Sequence, residues 1–238
     1  MEKLQYLCWT SPALAPADRR RVALGDVVPS LLALGPRGLS VQVDDDESDV
    51  PVPLPPPADE PQPTMLVSIW LDRYDDREPY EAVLTAASDR IAGYLVTESL
   101  YTDYGGNCWS GPRDWPDGER SPGVVMVTLL RKPERMTDED WFAHWHGVQS
   151  PVSEAMQPRT RYVRNSVARA ITPDAPPLRG IVEEAWPSAE TVTDLMRFYD
   201  AADAAELKAN IDEMLASVTA FLNLDELRSF TTSEYLLR

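Results

Sequence analysis

The chain has few of the residues from which most reactive sites are built. It holds two cysteines, Cys8 and Cys108, far apart in sequence. They form no ligand spacing and no disulfide framework, so they read as inert thiols of a reduced, cytoplasmic protein. It holds two histidines, His144 and His146. No apolar run reaches the length of a bilayer span, because Asp, Arg or Pro interrupts every candidate, so no membrane partner is expected. Met1 to Arg21 places its arginines after a short apolar stretch, the reverse of a secretory signal. No phosphate loop, GxSxG elbow, zinc motif or nucleotide fingerprint is present, and no cofactor is expected. Basic residues are scarce as well: 22 stand against 39 acidic ones, a net charge of −17. Such a field repels phosphate backbones and anionic membrane surfaces, which argues against a nucleic-acid partner.

What is present is an ordinary globular balance. Of 238 residues, 43% are apolar and 26% charged, enough for one large domain or two small ones, each with a core. Part of the acidic excess is local. Asp44, Asp45, Asp46, Glu47, Asp49, Asp59 and Glu60 carry no basic residue among them, in a stretch rich in proline. Residues 44–64 therefore read as an exposed, poorly ordered loop that does not pack.

The element signals occur in the same order twice. Lys3 to Trp9 reads as a strand, Asp18 to Leu34 as a helix that Pro29 kinks or divides, and Leu39 to Val43 as a strand. Met65 to Leu71 follows as a strand, Pro79 to Ile91 as a helix and Tyr94 to Tyr101 as a strand. Residues 104–122 read as a linker. Then come a strand over Gly123 to Leu130, a helix over Thr137 to Ala155, and strands over Tyr162 to Ile171 and Ile181 to Trp186. Helices over Ser188 to Tyr199 and Asp203 to Leu222 precede a last strand, Leu227 to Leu237. Thr137 with Asp140 has capping-box spacing. Leu207, Ile211, Met214, Leu215, Val218, Phe221 and Leu222 make one apolar stripe.

A βαββαβ pass repeated once predicts an α+β protein of two tandem ferredoxin-like units, residues 1–103 and 123–238. MLVSIWL and GVVMVTLL do not alternate in polarity, so both faces of those strands should be buried. Helices can cover one face and the other unit's sheet the opposite face. The expectation is an intramolecular α+β barrel, its halves packed sheet to sheet around a shared apolar interior.

The second half resembles the EthD family, on residues from Gly123 to Arg238. The resemblance rests on Arg131-Lys132-Pro133 after a strand and Met136-Thr137-Asp138-Glu139 opening a helix. Trp141-Phe142-Ala143-His144-Trp145 and Gln149-Ser150-Pro151-Val152 continue it, followed by the strand Arg161-Tyr162-Val163-Arg164-Asn165 and a final strand with Glu234. The chain departs at Gln149, where the family commonly carries His, and an amide cannot exchange a proton near neutral pH. The resemblance implies a barrel cleft for a small apolar molecule of cyclic or aromatic type, and a cofactor-free enzyme of a degradative or polyketide-type pathway. A non-catalytic accessory protein is the alternative.

Candidate site residues follow from these readings. His144 is either a general base in the cleft or a hydrogen-bonded histidine packed among tryptophans. Trp141, Trp145 and Val148 share a helix face, while His146 projects with Phe142 and Gln149. His144 and His146 lack the spacing to chelate one metal, so no metal site is expected. Substrate contacts are expected from His146, Gln149, Tyr162 and Arg164. Arg164 either holds an anionic group or pairs with Glu183 or Glu184. Trp109 and Trp115 either lid the cleft mouth with Tyr101 and Tyr104 or anchor the linker. One chain can complete the barrel alone, with a homodimer through outer surfaces left open.

Overall fold

The two unbroken apolar runs form strands whose faces point to different places. The computed structural model describes residues 1–238 except 54, 56, 58 and 59. Eight strands are present: β1 (Glu2–Trp9), β2 (Gly38–Val43), β3 (Met65–Leu71), β4 (Arg90–Thr102), β5 (Val124–Leu130), β6 (Arg161–Ala170), β7 (Gly180–Trp186) and β8 (Arg228–Leu236). In β3 and β5 one face meets helices and the other turns inward. The order around the ring is β1-β3-β2-β8-β5-β7-β6-β4, antiparallel throughout and closed.

Each half runs fourth, first, third, second in its own strand numbering. The halves then join through hydrogen-bonded edges. Val41 of β2 lies opposite Tyr235 of β8, and Glu98 of β4 lies opposite Asn165 of β6. Sheet-to-sheet packing therefore gives way to a single continuous ring. Closure is the physical gain, since a ring of strands leaves no edge with unpaired amides.

The helices lie outside the ring. They are α1 (Pro16–Val22), α2 (Val28–Ala33), α3 (Glu78–Ala86), α4 (Asp138–His144), α5 (Ser150–Met156), α6 (Ala189–Thr193), α7 (Leu195–Phe198) and α8 (Ala204–Phe221). The helix expected to kink or divide at Pro29 is divided into α1 and α2 by a π-helical turn, Ala23–Val27. A second π turn, Trp145–Gln149, joins α4 to α5. A proline, Pro29 or Pro151, stands six residues after the start of each turn, within the first turn of the next helix. Proline has no N–H to give to the carbonyl four residues back, which favours the wider turn there.

Three boundaries differ from expectation. Ile91 belongs to β4 rather than α3. The helix over 188–199 splits at Asp194, whose carboxylate accepts from the Met196 and Arg197 amides and so starts α7. The acidic loop is also less solvated than its composition suggests. Asp45 is fully buried, accepting from Ser233 Oγ at 2.8 Å and Tyr235 OH at 3.3 Å, and Val50 and Val52 pack against the Trp186 cluster. Residues 54, 56, 58 and 59 of the expected loop lie outside the described residues.

The interior of the ring is not the apolar cavity anticipated. Leu7, Leu66, Tyr94, Val127, Ile181 and Phe230 form an apolar portion. Beside it sits Glu183, 2% exposed, whose Oε1 accepts from Gln5 Nε2 and Asn165 Nδ2 at 2.8 Å each and from Lys3 Nζ at 3.3 Å. Its Oε2 accepts from Gln42 Nε2 at 2.5 Å. Burial favours the neutral acid, but Lys3, Arg161 and Asn165 outweigh it and hold Glu183 below the ordinary carboxylate range. Glu234 is gripped similarly by Arg161, Tyr104 and Ser121. The inward-facing donors converge on these two carboxylates, while Gln5 Oε1, Gln42 Oε1 and Asn165 Oδ1 have no partner among the described residues.

Candidate functional site

A cavity lies outside the ring, between the second half's sheet and its helices. It encloses about 310 Å³. Its floor is the outer face of the sheet, with Met126, Thr128 and Leu130 of β5, Tyr162 of β6, and Val182 and Glu184 of β7. Its roof is the apolar stripe of α8, including Ile211, Met214, Val218 and Phe221. Trp145 and Gln149 of the π turn close one side, and Leu195 and Phe198 of α7 another. Pro53, from the first half's acidic loop, also reaches it. The corresponding face of the first half is filled by Val27, Val28, Leu31 and Leu84. Its size, mostly apolar walls and few polar groups fall within the range common to small-molecule pockets.

Local sequence shapes the wall. Thr137 Oγ1 accepts the Asp140 amide at 3.1 Å, so α4 starts where the capping box places it. Trp141 and Trp145 are then buried, and the Trp145 ring reaches flat over β7 at Gly180. A Cβ at Gly180 would lie 2.7 Å from Trp145 Cη2, so only glycine leaves room for the indole. The π turn explains a misreading of the helix faces. With one more residue per turn, Gln149 rather than Val148 follows Trp145 onto the cavity side, and Val148 is 43% exposed.

The polar end of the cavity is organised by Arg159, which is 1% exposed. Its Nη1 donates to Glu184 Oε1 at 2.6 Å, and its Nη2 to Ser153 Oγ and Glu154 Oε2 at 3.0 Å each. The guanidinium also lies over the Tyr162 ring, 4.0 Å from its centroid. Burial opposes its charge, but Glu184, Tyr162 and Glu154 raise its pKa above the ordinary value. Burial raises the Tyr162 and Tyr199 hydroxyls, which therefore stay protonated at neutral pH. Gln149 gives Nε2 to Met214 Sδ at 3.2 Å, and its buried Oε1 has no partner among the described residues.

The structure brings two of the expected site residues, Gln149 and Tyr162, to the cavity wall. His144 stands behind that wall, its Nε2 at 2.9 Å from the Ser217 carbonyl and its ring stacked on Phe221. His146 points elsewhere, against Trp145 and Phe142, where burial and then the Arg164 charge lower its pKa. The two imidazoles thus diverge. No group of three or more His, Cys, Asp or Glu is arranged to hold a metal among the described residues.

Arg164 pairs with neither Glu183 nor Glu184; it donates to Ser150 Oγ at 3.0 Å and lies over Tyr101. Tyr101 meets Tyr162 edge to face at 5.3 Å but lies off the cavity. Trp109 is 38% exposed on the linker, and Trp115 packs on Tyr104, so neither lines the cavity. The sequence reading passed over Arg159, Gln157, Tyr199 and Pro53. Arg159 follows Pro158 in a short connection with no periodicity, and only its burial distinguishes it. Tyr199 lay in an anticipated helix, with nothing in its spacing to aim it at a ligand.

No protein-family model matches the chain, that of EthD included, and no curated protein is similar to it. Solved structures are. A crystal structure of an anthrone oxidase-like protein matches with a TM-score of 0.53 at 12% identity, over 100% of this chain and 91% of that one. A monooxygenase candidate from Fusobacterium nucleatum subsp. nucleatum matches with a TM-score of 0.51 at 8% identity, over 100% of this chain and 92% of that one. At such identities the likeness shows the fold alone, a closed antiparallel barrel with helices on its outside.

Proposed function

We propose that the protein is a small-molecule enzyme of the EthD and anthrone-oxidase kind, taking a flat, mostly apolar aromatic molecule in the cavity beneath α8. The observation that carries the reading is a cavity of about 310 Å³, walled by aliphatic and aromatic side chains, with its polar groups gathered near Arg159. Glu184 is the ionisable side chain on that wall with a free oxygen. Its Oε1 is taken by Arg159, and its Oε2 has no hydrogen-bond partner among the described residues. Glu184 Oε2 would accept a proton from an activated C–H of the substrate, with the Arg159 charge steadying the carboxylate. Tyr162 and Gln149 would orient the ring. His144, tied to α8, would position the roof rather than meet the substrate.

The neighbours' names suggest oxidation of an anthrone-type methylene by dioxygen, giving the quinone and water. The two halves read as a duplication, since both carry the same strand order and a π turn at the same distance before a proline. Anthrone added aerobically to purified protein should be converted to anthraquinone, with one dioxygen consumed per turnover. A Met214→Trp variant, whose indole fills the cavity, should lose both binding and turnover. Absence of any binding by the wild-type protein would remove the reading. A second reading, uptake without turnover, draws on the lack of histidine and cysteine among the cavity's described lining residues. Tight binding with no dioxygen consumption would favour it.

A further inference from the structure

The hydroxyl of Ser150 lies behind the cavity wall and joins three groups. It donates to the Trp145 carbonyl at 3.0 Å, accepts from Arg164 Nη1 at 3.0 Å, and meets the Tyr162 hydroxyl at 3.1 Å. A serine hydroxyl has one proton and two lone pairs. With the proton on Trp145 and one lone pair on Arg164, the remaining lone pair can only accept. Tyr162 must then donate to Ser150. Its oxygen presents lone pairs, and no proton, to whatever enters the cavity. Two further acceptors stand on the same wall, Glu184 Oε2 and the unpaired Oε1 of Gln149, while the Gln157 amide and the Tyr199 hydroxyl add donors to the lining.

We propose that Ser150 is a specificity-determining positioning residue: by fixing the direction of the Tyr162 proton, it makes the Tyr162 hydroxyl an acceptor toward the cavity, and so selects ligands that bring an O–H or N–H to it over ethers and carbonyls. This rests on the cavity being the ligand site. The π turn is what makes the arrangement possible. It brings the Trp145 carbonyl within reach of both the amide and the hydroxyl of Ser150, five residues on. Arg164 supplies the second constraint, because a guanidinium has no acceptor and can only donate to the serine. Neither Ser150 nor Arg164 lines the cavity, so both act through Tyr162.

The test uses 2-naphthol and 2-methoxynaphthalene, which differ in whether the oxygen can donate, titrated against the full-length protein by tryptophan fluorescence. Wild-type protein should bind the naphthol about tenfold more tightly, the factor that one hydrogen bond of ordinary strength supplies. In Ser150→Ala the Tyr162 hydroxyl is released and can turn its proton into the cavity. The preference should fall to near unity or invert, with the ether gaining affinity in absolute terms. A purely structural role for Ser150 would weaken both ligands alike and leave the ratio unchanged. Ser150→Cys keeps the side-chain size while its sulfur is a poor acceptor, and should move the ratio the same way if the alanine variant folds poorly. Tyr162→Phe should abolish the preference. A tenfold ratio that survives Ser150→Ala and Ser150→Cys yet disappears in Tyr162→Phe would overturn the role of Ser150 while leaving the cavity as the ligand site. Binding of neither naphthalene to the wild-type protein would overturn both.

Discussion

Gln42, on β2 of the first half, donates its amide to Glu183, on β7 of the second half, across the interior of the ring at 2.5 Å. With Lys3 and Gln5, also from the first half, it gathers three first-half donors on one carboxylate of the second half. Glu183→Gln keeps the shape but sets an NH2 group among amide and ammonium donors. A loss of about 3 kcal/mol is expected, the scale for removing one member of a buried ionic cluster. Urea unfolding checks it, and a change below about 0.5 kcal/mol would show that the cluster is not selective for a carboxylate.

The same group sets a pH dependence. Its pKa is lower in the folded protein than in the unfolded chain, so the unfolded state takes up the proton first. The stability it contributes is complete above the unfolded value of about 4.3 and is lost as pH falls through the lower, folded value. The stability difference between wild type and Glu183→Gln should therefore be flat from neutral pH down to the unfolded value and narrow below it. Urea midpoints of both proteins across that range measure it. A difference that narrowed already between pH 7 and 6 would mean that another group is responsible.

The order of the elements was legible in sequence because it rests on local signals. The unbroken apolar runs of β3 and β5, the stripe of α8 and the Thr137 cap all depend on residues a few positions apart. The location of the site was not legible, for two physical reasons. Apolar residues facing a cavity obey the same period as those facing a core, so Met214 and Val218 looked like packing. Polar residues facing inward, such as Gln5, Gln42 and Asn165, carry no signal of their burial, since alternation does not say which face is wet. The Trp145–Gln149 turn added a third error, because a regular helical period carried past it assigns the wrong face.

Gly180 offers a direct probe of the cavity's shape. Gly180→Ala puts a Cβ 2.7 Å from the Trp145 ring, which must shift toward α8. The expected cost is about 1–3 kcal/mol, as for other overpacked sites, with ligand affinity reduced further than stability because the indole moves into the cavity. Thermal unfolding with and without 2-naphthol separates the two effects. Equal ligand-induced shifts in both proteins would mean that Trp145 does not border the bound molecule.

Arg159 and Glu184 provide the most demanding test, because one pair is asked to hold up the wall and steady the base. Arg159 is surrounded by Glu184, Glu154, Ser153 and the face of Tyr162, with no route to water. Arg159→Met leaves the Glu184 carboxylate half-buried without its cation, and a loss of about 3–5 kcal/mol is expected. Glu184→Gln alone should cost less, since Glu154 still partners the arginine. If the two act as a unit, the double variant should be more stable than the sum of the single losses implies, by about 1–3 kcal/mol of coupling. Losses that add to within about 0.5 kcal/mol would place Arg159 in service of Glu154 and Ser153 instead. Glu184 would then have to be steadied by something other than this arginine.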